Sequence, residues 1–312
     1  MKGVLLAGGS GSRLRPLTLA VNKHLLPVYD RPMVYFPLCT LMAAGVRDVA
    51  VVSGPADLPR FQALLGSGAQ WGISLSYAAQ PAPEGIAQAL LSAGDFVGRD
   101  PVAVILGDNL FDGPSLGARL RRAAARPRGA VVFGRRVRSP RRYGVAELDA
   151  RGRVVSLEEK PAEPRSDVAV TGLYLYGGGV LDRARAVRRS ARGEYEITAL
   201  NQEYLVRGEL SLVPLGDEVT WRDMGTPDAL HAAGRWAARE ARRGRWPGCP
   251  EEAALRMGYV GPAALEERAA RAPGRYGRHL RRLLRAAQAG AAPLPPDAAA
   301  KSGQTACDAV PG

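Results

Sequence analysis

Two apolar rhythms alternate along the first part of the chain. Four short runs rich in valine, leucine and isoleucine, at 4–7, 49–53, 73–78 and 102–106, read as buried strands. Between them, apolar positions recur every three or four residues over 33–44, 58–65 and 86–96, the period of helices with one buried face. Pro32 stands where the first of these would open, an N1-like position at which a missing N–H costs nothing. Strands and helices in this order predict an α/β fold: a Rossmann-like, mostly parallel mixed sheet with helices on both faces. Ligands of such sheets bind at the carboxyl ends of the strands. A glycine-rich turn after residue 7 and the pair Gly107-Asp108 both fall at such ends.

Further on the rhythm changes. Strand-like runs at 130–137, 145–148, 154–158, 171–176 and 210–214 are interrupted by helical stretches near 179–189 and 196–207, which predicts a second α/β part wrapped over the site as a lid. From 226 to 288 the pattern is helical throughout, and 289–312 has no period and reads as a disordered tail. The expected organisation is a main unit over 1–225, divided into 1–129 and 130–225, then a helical extension and the tail. There is no internal repeat.

The net charge of +13 would suggest a nucleic-acid partner, but its distribution argues otherwise. Residues 235–290 carry thirteen arginines against five acids, on amphipathic patterns such as Arg278, Arg281, Arg282 and Arg285 around Leu280, Leu283 and Leu284. Without interleaved aromatic residues these are solvated helix faces, and no nucleic-acid function is expected. No run approaches about 18 apolar residues, and Met1-Lys2 leads directly into a strand, so neither a membrane span nor a leader is expected and the cytoplasm is the expected location. Cys39, Cys249 and Cys307, like His24, His231 and His279, lack the spacing of a metal site or a triad, and Cys39 reads as a buried thiol. The lysines are more telling. Of 43 Lys and Arg residues only four are lysine, at 2, 23, 160 and 301. In such a background a lysine that persists is expected to be needed as a compact point charge.

The glycine turn carries the most chemistry. Gly8, Gly9 and Gly11 permit φ > 0, so successive backbone N–H groups can point into one concavity and hold phosphate oxygens. Arg13, Arg15 and Lys23 supply the charge a polyphosphate needs. The turn is not a Walker A loop, because no Gly-Lys-Ser/Thr closes it. It is not a dinucleotide fingerprint either: Gly9-Ser10-Gly11 is followed by Ser12, Arg13 and Leu14 where a third glycine is required.

With Asn22-Lys23-His24-Leu25-Leu26-Pro27 added, the segment resembles the signature of the sugar-1-phosphate nucleotidylyltransferases, and within them the glucose-1-phosphate thymidylyltransferases. The resemblance continues in order through Tyr29-Asp30-Arg31-Pro32-Met33, Gln80-Pro81-Ala82-Pro83-Glu84-Gly85-Ile86-Ala87-Gln88-Ala89 and Leu106-Gly107-Asp108-Asn109. It extends through Arg142-Tyr143-Gly144-Val145, Glu158-Glu159-Lys160-Pro161, Val170-Thr171-Gly172-Leu173-Tyr174, Ser190-Ala191-Arg192-Gly193-Glu194 and Trp221-Arg222-Asp223-Met224-Gly225-Thr226.

The resemblance implies Mg²⁺-dependent transfer of a thymidylyl group from dTTP to α-D-glucose 1-phosphate, giving dTDP-glucose and pyrophosphate. UTP or another sugar 1-phosphate is the alternative. The sugar phosphate is already anionic, so in-line attack on the α-phosphorus needs no strong base; the difficulty is gathering negative charge. By resemblance Arg13, Lys23, Lys160, Asp108 and Asp223 carry catalysis, the two aspartates as metal ligands. Leu6, Gly8, Gly9, Gly11, Arg13, Lys23, His24, Gln80, Gly85 and Asp108 would hold the nucleotide, with Gln80 and Gly85 reading the base. Asn109, Gly144, Glu159, Lys160, Val170 and Arg192 would hold the sugar phosphate, making 130–225 a sugar-binding lid. Tyr143 would pack beside the site. Three positions depart from the family pattern: His24 replaces a frequent glutamine, Ser12 a threonine and Ala199 a frequent aspartate. The extension resembles the family's long form, which implies a homotetramer with a second, regulatory nucleotide site. Asp112-Gly113-Pro114 departs from the aromatic and histidine pattern of that second site.

Overall fold

The computed structural model describes residues 1–125 and 129–289; apart from Ala289, the expected tail lies outside the described residues. The first strands are β1 (Lys2–Leu6), β2 (Pro27–Val28), β3 (Arg31–Pro32), β4 (Asp48–Ser53), β5 (Ser74–Ala79), β6 (Val102–Leu106) and β7 (Asn109–Asp112). They are followed by β8 (Ala130–Arg136), β9 (Gly144–Leu148), β10 (Val154–Glu159), β11 (Val168–Tyr176), β12 (Leu210–Pro214) and β13 (Thr220–Asp223). The helices of the first part are α1 (Tyr35–Ala43), α2 (Leu58–Leu65), α3 (Ile86–Ser92), α4 (Gly94–Val97) and α5 (Leu116–Ala124). Then come α6 (Val180–Ala186), α7 (Ile197–Val206), α8 (Pro227–Arg242), α9 (Pro250–Arg256), α10 (Pro262–Arg271) and α11 (Gly274–Gln288).

Nine strands form one mixed sheet in the order β10-β9-β11-β6-β1-β4-β5, with β8 on β11 and β12 on β8. β5, β4, β1 and β6 run parallel. β11 then reverses the direction, pairing antiparallel with β6, β8 and β9. Because β11 hydrogen-bonds directly to β6, the parts 1–129 and 130–225 are built on one continuous sheet. Side chains alternate across it. Val4, Leu6, Val102 and Val104 enter a core with α3, α6 and α7, while Leu5, Ala7, Ala103 and Ile105 enter one with α1, α2 and α5. The result is helices on both faces, as the sequence predicts.

Some elements differ from the sequence reading. Pro32 does not open α1: it lies in the two-residue ladder of β2 and β3, paired with Pro27, and Tyr29 turns that hairpin at φ 64°. A proline's fixed φ serves a short extended edge as well as a helix start, and it pushes the preceding residue to extended geometry. The helix begins at Tyr35, with Pro37 still inside the first turn. The stretch 86–96 is two helices, broken where Ala93 leaves helical geometry before Gly94. β7, β13 and α5 had no counterpart in the sequence reading.

Past the sheet, α8 is capped by the Thr226 hydroxyl, which accepts from the Ala229 N–H at 3.4 Å, with Pro227 at the first position. The helices after it close around Trp246, Cys249, Leu255, Leu265, Ala269 and Leu280. Inside this extension a polar cluster lies buried. Glu252 is paired with Arg256 at 2.5 Å and with His279 Nε2 at 2.7 Å, and Glu251 with Arg268 at 2.9 Å and with the Tyr276 hydroxyl. Cys249, Glu252 and His279 bring one ligand atom each within 4.8 Å of the others, a proximity their spacing along the chain conceals. Among the described residues, no helix is long and apolar enough to cross a membrane.

Candidate active site

A cavity of about 540 Å³ opens at the carboxyl ends of β1, β5 and β6. Leu6 ends β1 and Leu106 ends β6, so the chain leaves each strand at the cavity wall, as parallel sheets dictate. The glycine turn forms one side with Gly8 and Gly9, followed by Arg13, Lys23 and His24. Gln80 and Gly85 close the end beyond β5. The antiparallel half contributes Gly144, Glu159, Lys160, Val170 and Arg192, and β13 brings Asp223. Of the residues singled out from the sequence, the exposed Arg15 is outside the lining and adds no charge to the cavity wall, and so is Gly11. At φ 58° it opens the 3-10 turn Ser12–Leu14 and accepts from the Thr18 hydroxyl at 2.8 Å, so it shapes the loop from behind.

Asp108 and Asp223 meet through the small antiparallel ladder of β7 and β13. The Met224 N–H donates to the Asp108 carbonyl at 2.9 Å and locks the ladder at the cavity. Asp108 is 7% exposed and bonded to Lys23 Nζ at 2.5 Å and to Asn109 Nδ2 at 3.0 Å. Burial would push its carboxyl up, but the Lys23 ammonium and these hydrogen bonds outweigh burial and hold it ionised, below the ordinary carboxylate range. Asp223 goes the other way: burial, and then the negative charge of Asp108, push its carboxyl up. Two carboxylates that repel each other at a cavity wall, with Arg13 close to Asp223, form a natural seat for a hard cation.

Asn109 is engaged at both ends of its amide. Its Oδ1 accepts from the Gly172 N–H at 3.2 Å and from Trp221 Nε1 at 2.7 Å, while its Nδ2 holds Asp108. Across the cavity, Lys160 follows β10 in the left-handed region at φ 44°, a conformation that costs energy for a non-glycine residue and persists where its surroundings impose it. Its N–H donates to the Tyr143 carbonyl at 3.0 Å, and its ammonium lies 3.5 Å from Glu159. Glu159 also accepts from the Thr198 hydroxyl at 2.5 Å and from Arg192 at 3.4 Å. Arg192 is held by Glu194 and Glu196 as well.

His24 is 1% exposed, and burial followed by the neighbouring Lys23 charge lowers its pKa to about 3. Asn22 donates from Nδ2 to the Ala7 carbonyl, so its Oδ1 faces His24 and accepts from both the backbone N–H and ring Nδ1 at 2.9 and 2.8 Å. The imidazole is therefore neutral with the proton on Nδ1, which is given to Asn22, and Nε2 is left as an acceptor, a role a glutamine amide oxygen in that place could also fill.

A family model for nucleotidyl transferases matches residues 2–240. The chain belongs to the nucleotidyl transferase family. A glucose-1-phosphate thymidylyltransferase of Mycolicibacterium smegmatis is 51% identical over 286 residues, covering 91% of this chain and 99% of that one. One of Xanthomonas campestris is 50% identical, covering 91% and 97% respectively. A solved structure from Bacillus anthracis, described as a glucose-1-phosphate thymidylyltransferase in complex with sucrose, superposes with a TM-score of 0.71 at 41% identity, over 76% of this chain and 95% of that one. A UDP-glucose pyrophosphorylase shares the fold at a TM-score of 0.67 and 22% identity.

The nucleotidyltransferase has further lining residues that sequence reasoning passed over. Trp221 braces Asn109 and packs on Tyr143 with ring centroids 5.1 Å apart, which puts Tyr143 beside the site as expected. Thr198 and Glu196 at the start of α7 hold Glu159 and Arg192. Both lay inside or beside stretches quoted for other residues, and their role follows only from the approach of α7 to β10. Gly85, at φ 121°, is packed so that a Cβ would lie 2.5 Å from the Tyr195 carbonyl oxygen, which fixes glycine there.

Proposed function

We propose that this nucleotidyltransferase transfers a thymidylyl group from dTTP to α-D-glucose 1-phosphate, releasing pyrophosphate and requiring Mg²⁺. The observation that carries the reading is that one cavity gathers Lys23 and Lys160, two of the four lysines, around the carboxylates of Asp108 and Asp223. The oxygen-only, mutually repelling pair Asp108 and Asp223 fits Mg²⁺, which prefers one or two carboxylates supplemented by phosphate oxygens and water. When bound it would supply Lewis-acid stabilisation to those phosphate oxygens.

The chain's own residues divide the remaining work. Arg13 and Lys23 face the triphosphate from the glycine turn and offset charge on the departing pyrophosphate. Lys160 and Arg192 hold the attacking sugar phosphate, Arg192 exchanging carboxylate partners for phosphate oxygens. Glu159, oriented by Thr198, accepts from sugar hydroxyls, while Gly85, packed against the Tyr195 backbone, forms the end of the cavity that takes the base. Relatives named for glucose 1-phosphate and thymidylyl transfer support the substrate pair. Pyrophosphate release, measured in Mg²⁺ with dTTP, UTP, dCTP, ATP and GTP against glucose and mannose 1-phosphates, tests it. The highest kcat/KM is expected for dTTP with glucose 1-phosphate. A preference for a purine triphosphate overturns the proposal.

A further inference from the structure

Gln80 follows β5 at the nucleotide end of the cavity and is only 6% exposed. A glutamine amide has two orientations that exchange its oxygen and nitrogen, and its neighbours choose between them. Two acceptors stand on one side of this amide. Nε2 donates to Gln88 Oε1 at 2.7 Å and toward the Gly85 carbonyl at 3.4 Å. Oε1 is thereby turned toward the glycine turn, where a Cβ on Gly8 would lie 2.5 Å from it. Gln88 sits on α3, half-buried and outside the cavity lining, so it acts on a bound nucleotide only through Gln80.

We propose that Gln88 is a positioning residue that fixes Gln80 as a hydrogen-bond acceptor and so sets the nucleotide end of the cavity to favour a pyrimidine bearing an N3–H. The inference rests on the proposed function, in that a base occupies this end. Thymine and uracil offer N3–H to the fixed Oε1. Cytosine offers a lone pair there, and two acceptors facing each other in a buried site cost more than a missing bond. If Gln80 were free to turn, its Nε2 would serve cytosine as readily, and the discrimination would fade. The selectivity therefore resides in the residue behind the one that touches the base.

The test is the ratio of kcat/KM for dTTP over dCTP, with glucose 1-phosphate and Mg²⁺, in wild type, Gln88→Leu and Gln88→Glu. Leucine removes the acceptor, and the ratio is expected to fall about tenfold or more, chiefly through KM. Glutamate keeps an acceptor at the same reach, and the ratio is expected to stay within about threefold of wild type. An unchanged ratio in Gln88→Leu overturns the inference, as does an equal loss in both variants, which would mark a merely structural role. A wild type that prefers purine triphosphates overturns the proposed function instead. The two failures are thus distinguishable.

Discussion

The cavity at the carboxyl ends of the strands and the cluster around Glu252 in the helical extension each gather two acids and several cations around a buried histidine, yet they are wired oppositely. Around Glu252 each acid meets its partners within the cluster: Arg256 and His279 on Glu252, Arg268 and Tyr276 on Glu251, while Arg282 lies on the other nitrogen of His279. Trp246 stacks on the His279 ring at 4.8 Å and seals it. Burial would push the Glu252 carboxyl up, but His279 and Arg256 hold it down, the mark of a closed network. In the cavity the like charges of Asp108 and Asp223 are set against each other, and Lys160 is held at a positive φ on the wall. Similar residue types thus make a joint when their partners are internal, and a site when some of their charge is left for a ligand.

Three substitutions would break this contrast if it is wrong. Asp223→Asn is expected to lower turnover on the order of 10³-fold, because several kcal/mol of charge stabilisation are lost. It should leave Tm unchanged or raised, since it removes repulsion with Asp108. Retained turnover would remove Asp223 from the metal role. Glu252→Ala should do the reverse. Removing one partner of a buried ion-paired group costs about 3 kcal/mol, which urea unfolding would read, while turnover per folded molecule is held. Equal effects of the two substitutions would erase the distinction between joint and site.

The smallest effect concerns pH. His24 folds with a pKa of about 3 against an ordinary value of 6.5, so between these limits the unfolded chain binds a proton that the folded one refuses. Stability from this group is complete above pH 6.5 and falls as the medium is acidified toward 3. His24→Gln should flatten the stability profile between pH 6.5 and 5.5 by up to about 1.4 kcal/mol. A profile identical to wild type would show that His24 is not held neutral.

The sequence made the parallel core legible because its strands are short runs buried on both faces, and their ends announce where a ligand sits. The cavity was legible for a different reason: the residues that line it stand in short motifs, far apart along the chain, through which the sequence resembles its family. What stayed hidden depends on distant pairing. β7 and β13 are four residues each, without a period of their own, and they exist as strands only because they meet. Pro32 was ambiguous because one backbone angle serves two elements. Gln88 was within a quoted motif, but its hydrogen bond to Gln80 requires knowing that α3 folds back behind the end of β5.

The ladder of β7 and β13 has a temporal consequence. Val102–Leu106 and the parallel strands can assemble while synthesis is still in progress, but Asp108 must wait for a segment more than a hundred residues downstream. Contacts of such long sequence separation form late, after the loop-closure entropy has been met. A nascent or proteolytically shortened chain ending before β13 would display a glycine turn and a basic wall able to attract phosphates, yet lack the second carboxylate. The pairing of Asp108 with Asp223 is thereby tied to completion of the chain as far as β13.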